Sequence, residues 1–186
     1  MYNIDLTPRR FGGRICAAVF LAAVVLAGGL VPCAGAGELP TPTPAVPAEE
    51  RLQSELLFDL VFERGTATTV GSPGGNRVVV PVSTGTFEGP KLKGFVVAPS
   101  GDTITVRQDG SSVLDLRLLL QTDDGQKVLM TCRGIAYTTP DGSLFARLQP
   151  LFETGAEKYT WLNKVVAVGV FHPLPGKIAY RIYRIL

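Results

Sequence analysis

Histidine is almost missing from this 186-residue chain: the single one, His172, precedes Pro173 in the turn-like stretch "FHPLPG" and reads as a loop residue. Of the three cysteines, Cys16 and Cys33 fall in an N-terminal leader, which leaves Cys132 alone. One imidazole and one thiol cannot furnish the nitrogen and sulfur ligands of a zinc centre, so no metal is expected. No intramolecular disulfide can form either, and the fold must stand on its apolar core. Cys132 lies in a strand-like run between Thr131 and Arg133 and reads as a buried structural thiol. A G-x-S-x-G nucleophile elbow is absent. The glycine-rich "GSPGGNR" (Gly71–Arg77) has neither the lysine nor the following helix of a phosphate loop. "QTDDGQK" (Gln121–Lys127) lacks the further spaced ligands of a calcium loop and reads as a hairpin tip. Nothing resembles a dinucleotide fold, so hydride transfer is excluded and no cofactor is expected.

The chain also lacks a basic excess once its address is set aside. Arg9, Arg10 and Arg14 precede the apolar run "ICAAVFLAAVVLAGGL", and "AGA" (Ala34–Ala36) follows. A basic start, an apolar middle and small residues at the exit describe a secretory signal peptide over 1–36, cleaved near Ala36. The competing reading is a membrane anchor through residues 15–31, the one expected membrane contact. "TPRRFGG" (Thr7–Gly13) carries paired arginines as twin-arginine export signals do, but Phe11 sits one place early. Pro32 before Cys33 argues against lipid attachment. Three of the 18 basic residues and one of the 16 acidic residues lie in this leader, leaving 15 of each. A neutral mature chain in the periplasm or medium has no electrostatic footprint for nucleic acid.

Residues 37–53 open with "GELPTPTPAVPAEE", a Pro-rich tether with few backbone donors. From Ser54 to Leu186 the texture is strand after strand: 55–63, 66–70, 77–86, 91–98, 103–107, 113–122, 127–137, 144–149, 165–171 and 177–185. Between them fall "SPGGN", "PSGD", "QDGSS", "DDGQ", "PDGS" and "PLPGK", the Asp-Gly and Pro-Gly signatures of tight turns. The fold expected is all-β: one antiparallel, closed or nearly closed β-barrel of about 8–10 strands, with a short helical turn near 156–164. Pro81 requires an edge segment or a bulge in its strand.

Period-two alternation sorts the side chains. In 113–122, Leu114, Leu116, Leu118 and Leu120 share one face and must be buried, while Asp115 and Arg117 share the other. If that second face meets water they form an ordinary surface pair; if it lines the barrel they belong to a pocket. Phe145 and Arg147 pose the same alternative in 144–149.

"GTFEGPKLKG" (Gly85–Gly94), "DLRLLLQTDDG" (Asp115–Gly125) and "PLFETGAEKYTWLNKVVAVGV" (Pro150–Val170) resemble, in this order, an uncharacterised bacterial and fungal family, domain of unknown function 3237, also called uncharacterised protein family 0311. The resemblance spans nearly all of residues 54–186. It implies a β-barrel that associates into dimers or larger homo-oligomers, and no agreed activity. The family's D-x-R element matches Asp115 and Arg117, and its F-x-R element matches Phe145 and Arg147. Its "F-E-T-G … Y-x-W-L-N" element matches Phe152–Gly155, Tyr159 and Trp161–Asn163. Many members carry Asp-Trp after a glycine-rich turn; here "PSGDTITV" has Thr103 at the tryptophan's place, so a cavity walled by that residue would be differently lined. The resemblance gives the interior placement of Asp115 and Arg117 equal standing with the surface one.

Three functions fit these residues. The first is a barrel binding a small, partly polar organic molecule through Arg117, Arg147, Tyr159, Trp161 and Asn163. The second is a cofactor-independent isomerase, cyclase or lyase, with Glu153 or Asp115 as general base and Arg117 or Arg147 stabilising an oxyanion. The third is a purely structural oligomeric barrel, in which Trp161 plugs the lumen and Glu153 and Asn163 bond their own loop.

Overall fold

The computed structural model describes residues 51–72 and 75–186. The predicted signal peptide and nearly all of the predicted tether lie outside the described residues. Described in chain order are β1 (Ser54–Arg64), β2 (Thr68–Ser72), β3 (Gly75–Glu88), β4 (Lys93–Val106), β5 (Ser112–Thr122), β6 (Lys127–Thr138) and β7 (Leu144–Glu153). A 3-10 helix (Glu157–Lys164) and then β8 (Ala167–Phe171) and β9 (Ile178–Ile185) complete the domain.

From β3 to β9 each strand pairs antiparallel with the next in sequence, and β1 pairs with both β9 and β3. That double pairing closes an eight-stranded antiparallel barrel, the all-β architecture expected from the alternation and the turns. β2 stands outside the count. It pairs only with the first part of β3, on the edge that β1 occupies further along.

Turn chemistry explains the connections. The tips at Gly110, Gly125 and Gly142 each follow an aspartate and have φ of 83°, 84° and 85°, a conformation that costs glycine nothing. At two of them the aspartate carboxylate accepts the amide of a serine two residues on, from Ser111 to Asp109 and from Ser143 to Asp141.

One predicted turn is absent. "PSGD" does not separate two strands; it is a bulge inside β4, so the predicted 91–98 and 103–107 runs are one strand, Lys93–Val106. The register slips between Val97 and Gly101 against β5, and between Pro81 and Gly85 against β3. Ser100 makes the slip tolerable. Its hydroxyl donates to the Val97 carbonyl at 2.7 Å and accepts the Leu119 amide at 2.9 Å, standing in for a missing backbone acceptor. Pro81, without an N–H, lies where a bulge was expected.

The core is the barrel's interior. Phe58, Leu60, Phe62, Phe87, Val96, Leu114, Leu116, Leu118 and Leu120 of β5, Met130, Phe152 and Ile182 face one another there. Phe58 packs on Phe87 and Phe152 with ring centroids 5.5 and 6.0 Å apart. Closure brings some backbones very near: a Cβ on Gly94 would lie 2.0 Å from the Gln121 carbonyl oxygen. Gly94→Ala is therefore expected to lower stability in urea unfolding by about 3 kcal/mol. Gly71→Ala, which meets nothing within 4 Å, should change it by less than about 1 kcal/mol. Equal effects would show that strand β4 is not pressed against β5 at Gly94.

Candidate functional site

The barrel has two unlike ends. At one, the 3-10 helix folds over the lumen with Tyr159 and Leu162 buried and Trp161 packed against the core. Its polar groups bind the chain itself. The Tyr159 hydroxyl donates to Asp124 at the β5–β6 tip (3.1 Å), and the Lys158 ammonium reaches the same carboxylate at 2.6 Å. The Lys158 ammonium first, then the Thr122 hydroxyl, hold the Asp124 carboxyl down at about 2. Asn163 and Thr154 exchange two bonds: the Thr154 amide donates to Asn163 Oδ1, and Asn163 Nδ2 donates to the Thr154 carbonyl, both at 2.9 Å. Trp161 has the Lys91 ammonium 5.9 Å from its ring centroid. Tyr159, Trp161 and Asn163 thus share one element, a lid closing this end.

The other four sequence-predicted residues lie on the outer wall. Leu114, Leu116, Leu118 and Leu120 point inward, so Asp115 and Arg117 point outward. They form a pair at 3.7 Å with 72% of the Arg117 side chain exposed, and they border a shallow depression of about 250 Å³ together with Arg133 and Gln149. Arg147, outward on β7, lies over the Phe145 ring at 4.3 Å and donates to the Ala146 carbonyl at 2.8 Å. Glu153 is exposed at the end of β7. No single cavity gathers the seven residues.

Inside the opposite end the described residues hold one buried carboxyl, Asp102, which is 9% exposed. Cross-strand register sets it in an inward-facing row with Val80 on β3, Leu116 on β5 and Cys132 on β6. Its Oδ1 accepts the Asp115 amide at 3.2 Å. Burial pushes its pKa up from 3.8 to about 6, against the opposing pull of that amide and of the Arg64 charge. Burial also raises Tyr180 of β9, with the Asp102 charge adding to it and Arg64 opposing. Cys132 is raised in the same way by burial and then by the charges of Asp102 and Asp115, which keeps it an unreactive buried thiol. An aromatic wall stands beside these groups: Tyr180 stacks on Phe62 (6.4 Å) and meets Phe171 edge-on (5.6 Å). The arrangement is an apolar, closely packed end of the lumen with one proton-carrying group on its wall.

Reading "PSGD" as a turn is what hid Asp102 in the sequence. Carried through the bulge, the alternation puts Val96, Asp102 and Ile104 on one face of β4. An acid in phase with core residues was the available signal.

A closed antiparallel barrel plugged at one end and carrying a buried carboxyl near the other defines the class of this domain. The chain belongs to the family described as "Protein of unknown function (DUF3237)", whose model matches residues 52–185. It is 24% identical over 149 residues to the UPF0311 protein RPA1785 of Rhodopseudomonas palustris, covering 73% of this chain and 97% of that protein. It is 29% identical over 117 residues to the hydroalkoxylation enzyme phnH of Penicillium herquei, covering 62% of this chain and 71% of that one. Among solved structures, a beta-barrel like protein from Acinetobacter baumannii AYE superposes with a TM-score of 0.69 at 28% identity, covering 77% of this chain and all of that one.

The raised Asp102 has a consequence for stability. Between pH 3.8 and about 6 the folded protein keeps a proton that the unfolded chain has released, so stability falls as pH rises through that window. Above it the full cost is present, roughly 3 kcal/mol. Asp102→Asn is expected to raise stability at pH 8 by about 2 to 3 kcal/mol and to change it little at pH 3.5. Denaturant unfolding at the two pH values decides this, and an equal effect at both would mean that the carboxyl is hydrated.

Proposed function

We propose that the barrel takes a small, partly polar organic molecule into the end opposite its lid and carries out cofactor-independent proton transfer on it, with Asp102 as the acid–base group. One observation carries this reading: a lone carboxyl set among Val80, Leu116 and Cys132 on the inner wall. A carboxyl titrating near working pH serves as base when ionised and as acid when protonated. Phe62, Tyr180 and Phe171 supply flat apolar contact for the ligand. The base role expected of Glu153 or Asp115 passes in this reading to Asp102, because those two carboxyls face outward.

The hydroalkoxylation named for the Penicillium relative is an addition of O–H across a carbon–carbon double bond. It supports the reading because its demands match the site. Asp102 would take the hydroxyl proton as the C–O bond forms and hand a proton to the adjacent carbon, so atoms balance without oxidant or cofactor. A binding role without turnover uses the same end of the lumen and differs in one respect, that it survives loss of the carboxyl.

The test is deuterium incorporation from D2O into a panel of enolisable ketones and unsaturated alcohols, followed by proton NMR. The rate should rise through about pH 6 as Asp102 ionises. Asp102→Asn should lower it at least about 100-fold, with Glu153→Gln and Asp115→Asn within about twofold of the parent. Saturable ligand binding retained by Asp102→Asn, without exchange in any variant, would establish the binding role instead. Export belongs to the same proposal: N-terminal sequencing of the periplasmic protein should begin near Gly37, and an intact leader there would favour the anchor.

A further inference from the structure

We propose that Arg64 docks the anionic end of a small organic substrate, a carboxylate or an enolate, above the valine floor of β3, with Asp102 on the far side of that strand. This rests on the proton-transfer reading and names its substrate class. The geometry begins where β1 ends, opposite a bulge in β3. The β1–β3 register slips between Glu63 and Arg64, so that Arg64 lies opposite Val82. Val82 is buried and faces the lumen, two residues along β3 from Val80, whose partner across the next ladder is Asp102. Arg64 and Asp102 therefore flank β3 on its inward side, with apolar side chains between them.

They do not close on each other. Among the described residues Arg64 forms no ion pair within 4.0 Å, although Glu63 beside it pairs outward with Lys177 at 3.4 Å. On adjacent β9, Arg181 pairs with Asp59 and Arg184 with Glu55. Both of these arginines are neutralised, and Arg64 is not. A guanidinium held apart from a carboxyl across an apolar gap suits a ligand that presents an oxyanion at one end and a transferable proton at the other.

Docking also changes the acid. The ionisable groups facing Asp102 are Arg64 from β1, Tyr180 from β9 and Cys132 from β6, with Asp115 of β5 acting from the outer face. β3 contributes only valines. Arg64 is the sole cation in that set. An anion seated on it cancels its pull on Asp102, so the carboxyl becomes a stronger base as the substrate arrives.

The test is a carbon-13 NMR titration of the Asp102 carboxyl in the full chain, alone, with saturating benzoate or cyclohexanecarboxylate, and with the corresponding neutral amides. The carboxylates should raise the Asp102 midpoint by about half to one pH unit while the amides leave it in place. Arg64→Gln should raise the ligand-free midpoint and abolish the response to carboxylates; Arg64 is exposed, so this variant is expected to fold. If Asp102 titrates near 6 and neither carboxylate moves it, anion docking is overturned and the proton-transfer reading stands. If Asp102 titrates at the ordinary carboxylate value, both fall together.

Discussion

Bonding β1 to both β3 and β9 is the constraint on which the rest of the molecule depends. Once the sheet has no seam, each of the eight barrel strands has one face turned away from water. Period-two alternation then becomes obligatory rather than favourable, since a slip of one residue would turn a whole row of leucines outward. Closure also sets where glycine is required. Strands β4 and β5 approach so closely at Gly94 that no side chain fits.

The same constraint accounts for the bulge. β3 serves β2 over its first half and β1 over its second, and the sheet must bend where the partner changes. Both prolines of the region, Pro81 and Pro99, fall there, where a missing N–H does least harm. The slip in β4 spans four residues against two on β5, so inward parity is kept, and Asp102 emerges from the bulge in phase with Val96. The buried acid Asp102 and this corner of the barrel are products of the same local geometry.

Most of the fold was legible in the residues because its signals are local. Asp-Gly tips and the alternation of 113–122 act over a few positions, and the family blocks run in order. The site was less legible. The stretch 152–163 collects two acids, an amide and three aromatics, which resembles a binding rim, yet Tyr159 and Asn163 turn their polar atoms onto Asp124 and Thr154. Composition does not say whether such groups face a ligand or their own chain; only the ladder does. Arg64 was hidden because the expected strand stops at Glu63; carried one residue further, the alternation of Phe58, Leu60 and Phe62 sets it on their inward face.

A structural barrel has no need of a carboxyl at position 102. The bond it makes, accepting the Asp115 amide, could be made as well by the side-chain oxygen of an asparagine, without the charge. The charge is what costs the fold above pH 6, and a buried bond to a backbone amide offsets only part of that. Nor does packing account for it, since the flanking positions Val80, Leu116 and Cys132 are filled by apolar groups of similar size. A residue that destabilises the protein at neutral pH, and whose structural duty a neutral amide could perform, is best explained by what only an ionisable group does. Among the described residues Asp102 is the buried carboxyl of the lumen, raised by burial to about 6, which is why the functional reading rests on it rather than on the more conspicuous lid.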